Sequence, residues 1–213
     1  DMAALMAAVR GYEKQWGRTV PILIDTTLAP LYPALAVDVA GDWPFIVVKS
    51  GSKYFTKGKT TLGVAACGNH PLARAIVTAA HVLATDADSL AKPGQLAILR
   101  DGLSDLRQRM AAVATNTAAL ANGIRSALAA RGHDITLYAM TPAQVDAGLA
   151  CGLISFYLPP APTDHADLVD DFVASMLAAA PDLVKSRVSY GQSTGDGKRD
   201  YFYIINPQES TQG

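Results

Sequence analysis

Three short apolar runs, each followed at once by a polar loop, constrain the fold of this chain more than any other feature. They lie at residues 20–24, 45–48 and 62–67. Such short, nearly continuous apolar runs are typical of the buried strands in a parallel sheet. Helical periodicity precedes them at residues 2–16 and follows them at residues 71–84. The order predicts an α/β sheet domain over residues 1–90.

The second half of the chain predicts a different architecture. Residues 89–94 break the pattern with a proline and a glycine, and an apolar stripe with helical spacing then runs from Leu103 to Leu128. Beyond it the pattern predicts short strands at residues 135–138, 153–158, 184–189 and 201–205, with helices at 142–148 and 166–179. We therefore expect a long linking helix and a small α+β C-terminal domain with an antiparallel sheet over residues 91–213.

Charge and composition argue against several classes of function. The 18 basic and 19 acidic residues nearly cancel and form no basic patch, so we expect no nucleic-acid partner. No uninterrupted apolar stretch is long enough for a membrane span. The two cysteines stand far apart in apolar surroundings, which predicts reduced core thiols and a cytoplasmic protein. The four histidines have no metal-ligand spacing, so we expect no metal site.

The residues suited to chemistry stand where the first two runs end. Asp25 closes the first run, and Lys53 follows the second after Ser50, Gly51 and Ser52. Adjacent parallel strands bring such ends to one crevice. A lysine sheltered there can be a neutral amine and form a Schiff base, and a carboxylate can keep the pyridine nitrogen of pyridoxal 5′-phosphate (PLP) protonated. Hydroxyl residues around a glycine let the backbone approach a phosphate.

Each of these residues also has a purely structural interpretation. Lys53 can be a surface lysine in a polar loop. Asp25 can be a turn or helix N-cap residue, and Ser50 and Ser52 can satisfy backbone groups of a turn. The sequence alone leaves these alternatives open.

Gly58, Lys59 and Thr60 suggest a remote alternative, a P-loop-like NTPase. That motif requires a glycine five positions before Gly58, and position 53 is a lysine. A strand-like run follows the segment, so we expect no helix N-terminus that could hold a phosphate.

Two segments resemble the Cys/Met-metabolism (trans-sulfuration) family of PLP-dependent enzymes, which includes the cystathionine synthases and lyases, methionine γ-lyase and the homoserine sulfhydrylases. ILIDTTLAP at residues 22–30 is similar to the family's strand followed by Asp-Asn-Thr. IVVKSGSKY at residues 46–54 is similar to its Val-Val-His-Ser-Ala-Thr-Lys-Tyr. Weaker likenesses follow in the same order at residues 62–64, 94–109, 152–156 and 188–191. The resemblance implies fold type I.

The resemblance also implies a role for each matching position. Lys53 would form the Schiff base with PLP and then move protons at Cα and Cβ of the substrate. Asp25 would pair with the pyridine nitrogen, and Thr27 would lie beside the ring. Ser50 and Ser52 would donate to the cofactor phosphate, and Ser189 would contact the substrate carboxylate.

The activity implied by the resemblance is β/γ-elimination or γ-replacement on a sulfur- or oxygen-substituted amino acid, performed by a homo-oligomer. The chain departs from the family pattern at Lys49, Thr26 and Ser52, where the family has His, Asn and Thr. The resemblance also implies that the chain is a piece of a longer enzyme, because the family's first half and its carboxylate-binding arginine have no counterpart. A non-catalytic fragment or pseudoenzyme of this fold is therefore the alternative to an enzyme.

Overall fold

The computed structural model describes residues 2–34, 43–146, 149–157, 171, 174–182 and 202–205. The chain divides into two compact units. The first contains the described residues up to Thr117 together with Met140–Gly152, and the second contains those within Ala118–Ala139 and Leu153–Asn206. The mixture of helices and strands agrees with the predicted α/β class in its coarse form. The boundary near residue 90 stays a prediction.

A three-stranded sheet and one helix open the first unit. Helix α1 spans Met2–Trp16, and the strands are β1 (Ile22–Asp25), β2 (Phe45–Ser50) and β3 (Gly63–Cys67). One core cluster joins α1 to β1 and the start of β2: Ile22, Trp43 and Phe45 are buried, and Met6, Val9 and Ile24 pack against them. The apolar sides of α1, β1 and β2 therefore form this core, and the helical spacing predicts the side that α1 contributes.

The sheet differs from the prediction in the direction of its third strand. The order is β1-β2-β3, and β2 pairs in parallel with β1. It pairs antiparallel with β3, from Ile46 opposite Cys67 to Ser50 opposite Gly63. The expectation of a purely parallel sheet was therefore wrong for β3. A parallel return needs a crossover, usually a helix, whereas residues 51–62 form turns that lead straight back beside β2.

Burial follows the position of each strand in the sheet. The central strand β2 is fully buried from Phe45 to Val47, whereas Leu23 on β1 is 65% exposed and no residue of β3 is fully buried. The expectation of buried strands thus holds for β2 alone. Its two neighbours are edge strands among the described residues, and edge strands keep one side open.

Three helices follow in sequence. They are α2 (Pro71–Asp86), α3 (Pro93–Leu103) and α4 (Leu106–Ala129). The predicted break at residues 89–94 ends earlier than expected, because Pro93 begins α3. Proline is well suited to the first helical position, where its missing N–H has no partner to lose.

Helix α4 supplies one side of the second core cluster. Leu106, Met110, Val113 and Ala114 are buried in it together with Tyr54, from the loop after β2. Ala150 completes the buried set. The loop that carries Lys53 is therefore anchored to α4 by the neighbouring Tyr54 side chain.

The remaining strands form the predicted antiparallel sheet. They are β4 (Leu137–Tyr138), β5 (Ile154–Tyr157) and β6 (Phe202–Ile205), in the order β4-β5-β6 with both pairings antiparallel. A short helix, α5, spans Pro142–Asp146. The predicted helix at 166–179 is described only at residue 171 and from residue 174 onward, where it is helical, and the predicted strand at 184–189 lies outside the described residues.

The cysteines and the hydrophobicity of the helices bear on two further expectations. Cys67 and Cys151 form no disulfide among the described residues, as predicted, although both are half-buried and not in the core. Across the described residues, no helix combines the length and the hydrophobicity that crossing a membrane requires.

Candidate functional site

The ends of β1 and β2 lie at the same edge of the sheet. Asp25 is the last residue of β1 and stands beside Val48 of β2. The N–H of Thr26 then donates to the Val48 carbonyl at 3.0 Å, which extends the pairing by one residue. The parallel register thus brings the loop after Asp25 next to the end of β2, as predicted.

A chain of hydrogen bonds joins three of the predicted site residues. The N–H of Thr27 donates to Oδ1 of Asp25 at 2.8 Å, and the N–H of Ser50 donates to Oγ1 of Thr27 at 2.7 Å. The first bond makes Asp25 a turn residue, which is the structural interpretation noted above. Asp25 is also exposed, and its Oδ2 accepts no hydrogen bond within the described part of the chain. One carboxylate oxygen therefore shapes the turn while the other remains available.

Lys53 stands at the start of a compact turn that directly follows β2. Backbone N–H groups of Thr56, Lys57 and Gly58 donate to the carbonyls of Gly51, Lys53 and Ser52 at 3.0–3.1 Å. We call residues 51–58 the lysine turn. The Lys53 side chain is half-buried. As in the first turn of a helix, the N–H groups of Ser52 and Lys53 donate to no described residue, so they are free to bind an acceptor.

Ser52 takes part in the turn itself. Its hydroxyl oxygen accepts a hydrogen bond from the N–H of Leu62 at 3.3 Å. Ser52 therefore satisfies a backbone group of the turn, as its structural interpretation states. A hydroxyl that accepts one bond still has its own proton to donate.

Arg109 on α4 forms a hydrogen bond to the backbone of the lysine turn. The Nη2 of Arg109 donates to the carbonyls of Tyr54 at 2.9 Å and Gly102 at 2.7 Å, and its Nε donates to Asp105 at 2.8 Å. The Arg109 side chain is only 18% exposed. Arg109 lies within the likeness at residues 94–109, but the sequence predicts no role for it. The four-residue spacing of Asp105 and Arg109 marks an ion pair on a helix, but nothing local indicates the bond to Tyr54.

A second ion pair shares the same carboxylate. Lys57, inside the lysine turn, donates to Oδ2 of Asp105 at 2.6 Å. The hydrogen bonds from Lys57 and then Arg109 lower the pKa of Asp105 from its ordinary 3.8 to about 2. Asp105 therefore stays ionised at neutral pH and links the turn to the N-terminus of α4.

We expect this network to make stability fall on acidification between about pH 4 and pH 2. A carboxyl with a lowered pKa contributes stability above its unfolded pKa, and the contribution is lost as the pH falls through the folded value. The free energy of unfolding, measured from pH 5 to pH 2, should fall less steeply in Asp105→Asn than in the wild type. Asp101→Asn, at an exposed position nearby, should keep the wild-type slope. Equal slopes for wild type and Asp105→Asn would contradict the assignment.

Lys49 ties the loop after β1 to β2. Its Nζ donates to the Pro30 carbonyl at 2.7 Å and lies 5.5 Å from the centroid of the Phe55 ring. Burial lowers the pKa of Lys49. The resemblance assigns no role to a lysine here, and the contacts indicate that Lys49 braces the loop that follows Asp25.

Thr26 is buried, and its hydroxyl has no hydrogen-bond partner among the described residues. Removing a buried hydroxyl that makes no bond costs little. Thr26→Val should therefore leave the free energy of unfolding unchanged or raise it by up to about 1 kcal/mol. Thr56 is a matched control, since its buried hydroxyl donates to the Gly51 carbonyl at 2.8 Å. Thr56→Val should lose about 1 kcal/mol in urea unfolding, and an equal loss in both variants would be inconsistent with an unbonded Thr26.

The structure connects Asp25, Thr27 and Ser50 directly and places Ser52 and Lys53 in the turn that follows Ser50. Ser189, the sixth predicted site residue, lies outside the described residues. Within the described chain, no three His, Cys, Asp or Glu side chains cluster as a metal site would require. Gly58, Lys59 and Thr60 lead into β3 and not into a helix, so the arrangement that a P-loop needs does not form there.

No protein-family model matches the sequence, and no curated protein matches it. Among solved structures, the chain is similar to cystathionine gamma-lyase from yeast, with 23% identity and a TM-score of 0.49 over 80% of this chain and 41% of that one. It is likewise similar to cystathionine gamma-lyase from Lactobacillus plantarum, solved in complex with L-serine, with 23% identity and a TM-score of 0.49 over 71% of this chain and 39% of that one. The chain thus spans about two fifths of the length of these structures.

Proposed function

We propose that the chain carries the lysine-bearing part of a PLP-dependent enzyme, with Lys53 as the residue that binds the cofactor covalently. One observation carries the proposal. The lysine turn follows β2 at the sheet edge where Asp25 ends β1, and the bonds through Thr27 and Ser50 join the two strand ends. A lysine, a carboxylate and hydroxyl groups at the edge of such a sheet can together bind a phosphorylated aromatic aldehyde.

The groups left unused at this edge fit such a cofactor. The N–H groups of Ser52 and Lys53 have no described partner and can receive phosphate oxygens, as the N-terminus of a helix does. The hydroxyls of Ser50 and Ser52 add further donors. The free oxygen of Asp25 offers an acceptor for a protonated ring nitrogen.

The proposal gives a role to each of the residues at this edge. Lys53 would hold the cofactor through its side-chain amine and, once substrate has displaced it, would move protons at Cα and Cβ of the substrate. Asp25 would pair with the protonated ring nitrogen, and the N–H of Thr27 fixes the Asp25 carboxylate for that contact. When bound, PLP supplies the electron sink that stabilises negative charge at Cα.

The class of reaction comes from the family resemblance. We propose β/γ-elimination or γ-replacement on a sulfur- or oxygen-substituted amino acid, by a cytoplasmic homo-oligomer in which Ser189 contacts the substrate carboxylate. We also propose that the chain has fold type I and that residues 91–213 form its long linking helix and small C-terminal domain.

The test is addition of PLP to the protein, followed by an absorbance scan and borohydride reduction. A Schiff base absorbs in the visible, and reduction should fix the cofactor on one lysine as a stable secondary amine. Peptide mapping should place it on Lys53. The map also distinguishes Lys53 from Lys49, whose pKa is lowered by burial and which lies four residues away.

A protein that stays colourless and unlabelled in this experiment would count against the proposal and for the non-catalytic alternative. Labelling spread evenly over the exposed lysines, with Lys59 as reactive as Lys53, would likewise count against a specific site. Activity on candidate substrates is a later step, because covalent capture does not need the whole catalytic apparatus.

A further inference from the structure

The lysine turn has only short-range bonds of its own. Three backbone N–H groups close it, and Thr56 adds a hydroxyl bond to the Gly51 carbonyl at 2.8 Å. Eight residues with so few internal bonds are easily distorted, because isolated turns have little cooperative stability. Contacts from other elements therefore decide where Lys53 stands.

Helix α3 approaches the turn so closely that it leaves no room for a side chain. A Cβ built on Gly102 would overlap the Phe55 carbonyl oxygen, and would lie 3.0 Å from its carbon and 3.3 Å from the α-carbon of Thr56. The backbone of the turn at residues 55–56 is thus packed directly on the end of α3.

Arg109 bridges the two backbones at this contact. One nitrogen donates both to the Tyr54 carbonyl of the turn and to the Gly102 carbonyl of α3. Asp105 fixes the guanidinium through its Nε and also pairs with Lys57 of the turn. The bond to Tyr54 lies one residue from Lys53, in a half-buried position where charge-assisted hydrogen bonds are strong.

We infer that Arg109 is a positioning residue for Lys53: it clamps the lysine turn against the ends of α3 and α4, and so fixes the backbone from which the Lys53 amine projects. The inference rests on the proposed function, since it gives Arg109 a purpose only if Lys53 must meet a bound aldehyde. A misplacement of about 1 Å can cost a reaction about a hundredfold, so such a clamp matters for the rate.

The test compares Arg109→Lys with Arg107→Lys, an exposed arginine on the same helix. Two readouts are measured on the full chain. Peptide-resolved amide exchange over residues 51–58 should become about tenfold faster in Arg109→Lys, the size expected for losing one charge-assisted hydrogen bond. The rate of PLP capture at Lys53, trapped with borohydride at timed intervals, should fall about tenfold or more. Arg107→Lys should match the wild type in both.

Labelling at exposed Lys59 serves as an internal reference, since it should not change in any variant. If Arg109→Lys does not fold, as judged by circular dichroism, Asp105→Asn replaces it. That variant frees the Nε of Arg109 and should shift both readouts in the same direction by about threefold, the scale of a partly exposed ion pair.

The outcomes separate the inference from the function it rests on. Wild-type protein that never labels Lys53 overturns both. Wild-type labelling at Lys53 with unchanged exchange and unchanged labelling in the variant overturns the role of Arg109 alone. Faster exchange with an unchanged labelling rate also overturns it, because Arg109 would then stabilise the turn without positioning the amine.

Discussion

Replacing Lys53 by methionine should abolish borohydride-stable capture of PLP. The variant keeps a long unbranched side chain but has no nitrogen that can join an aldehyde. The expected loss is complete, because no neighbouring residue supplies an amine at the same position of the lysine turn. Mass spectrometry of reduced, PLP-treated protein measures it, and the visible absorbance of the unreduced protein should disappear in parallel.

Two other lysines serve as controls for this result. Lys59→Met removes an exposed lysine of the next loop, and Lys49→Met removes the lysine that binds the Pro30 carbonyl. Both variants should still be labelled at Lys53, although Lys49→Met should label more slowly if bracing of the loop after β1 matters. Capture that persists in Lys53→Met and is lost in Lys49→Met would transfer the covalent role to Lys49.

Gly102→Ala should destabilise the first unit by about 2–3 kcal/mol, the upper range for overpacking. The added methyl group would overlap the Phe55 carbonyl, which is backbone and cannot rotate away as a side chain would. Either α3 or the lysine turn must shift, which also strains the bonds that Arg109 makes to both. Urea unfolding, with the midpoint and slope analysed together, measures the loss.

Gly123→Ala is the matched control, because Gly123 is also helical and nothing lies within 4 Å of its added Cβ. There the substitution should raise stability by about 0.5–1 kcal/mol, since alanine is the better helix former. A loss of similar size at both positions would mean that the packing at Gly102 is not the cause. An unaffected Gly102→Ala protein would contradict the close approach of α3 to the turn.

Much of the strand and helix layout could be predicted from the chain itself. The apolar runs predict β1, β2 and β3 to within two residues at each end, and the periodicity of α1 predicts its end at Trp16. Patterns of this kind are local, since the buried side of a short strand or helix is visible in the spacing of neighbouring apolar residues. The position of Asp25 at the end of β1 followed from the same pattern.

The direction of β3 and the start of α3 could not be predicted in the same way. An apolar run has no marker for parallel or antiparallel pairing, and the twelve residues between β2 and β3 are compatible with either. Pro93 was predicted to lie in a break. Proline can either end a helix or occupy its first position, and the residues around Pro93 do not distinguish the two. The direction of β3 and the start of α3 both depend on how these elements pack against the rest of the chain.

By itself the sequence determined which residues could do chemistry: a lysine after one apolar strand, an aspartate at the end of another, and hydroxyls between them. Only the tertiary structure decided how they are held. The bond from Arg109 to Tyr54 joins residues 55 positions apart, and that from Ser50 to Thr27 joins residues 23 apart. Contacts over such separations depend on where whole elements pack, and a local pattern has no information about that.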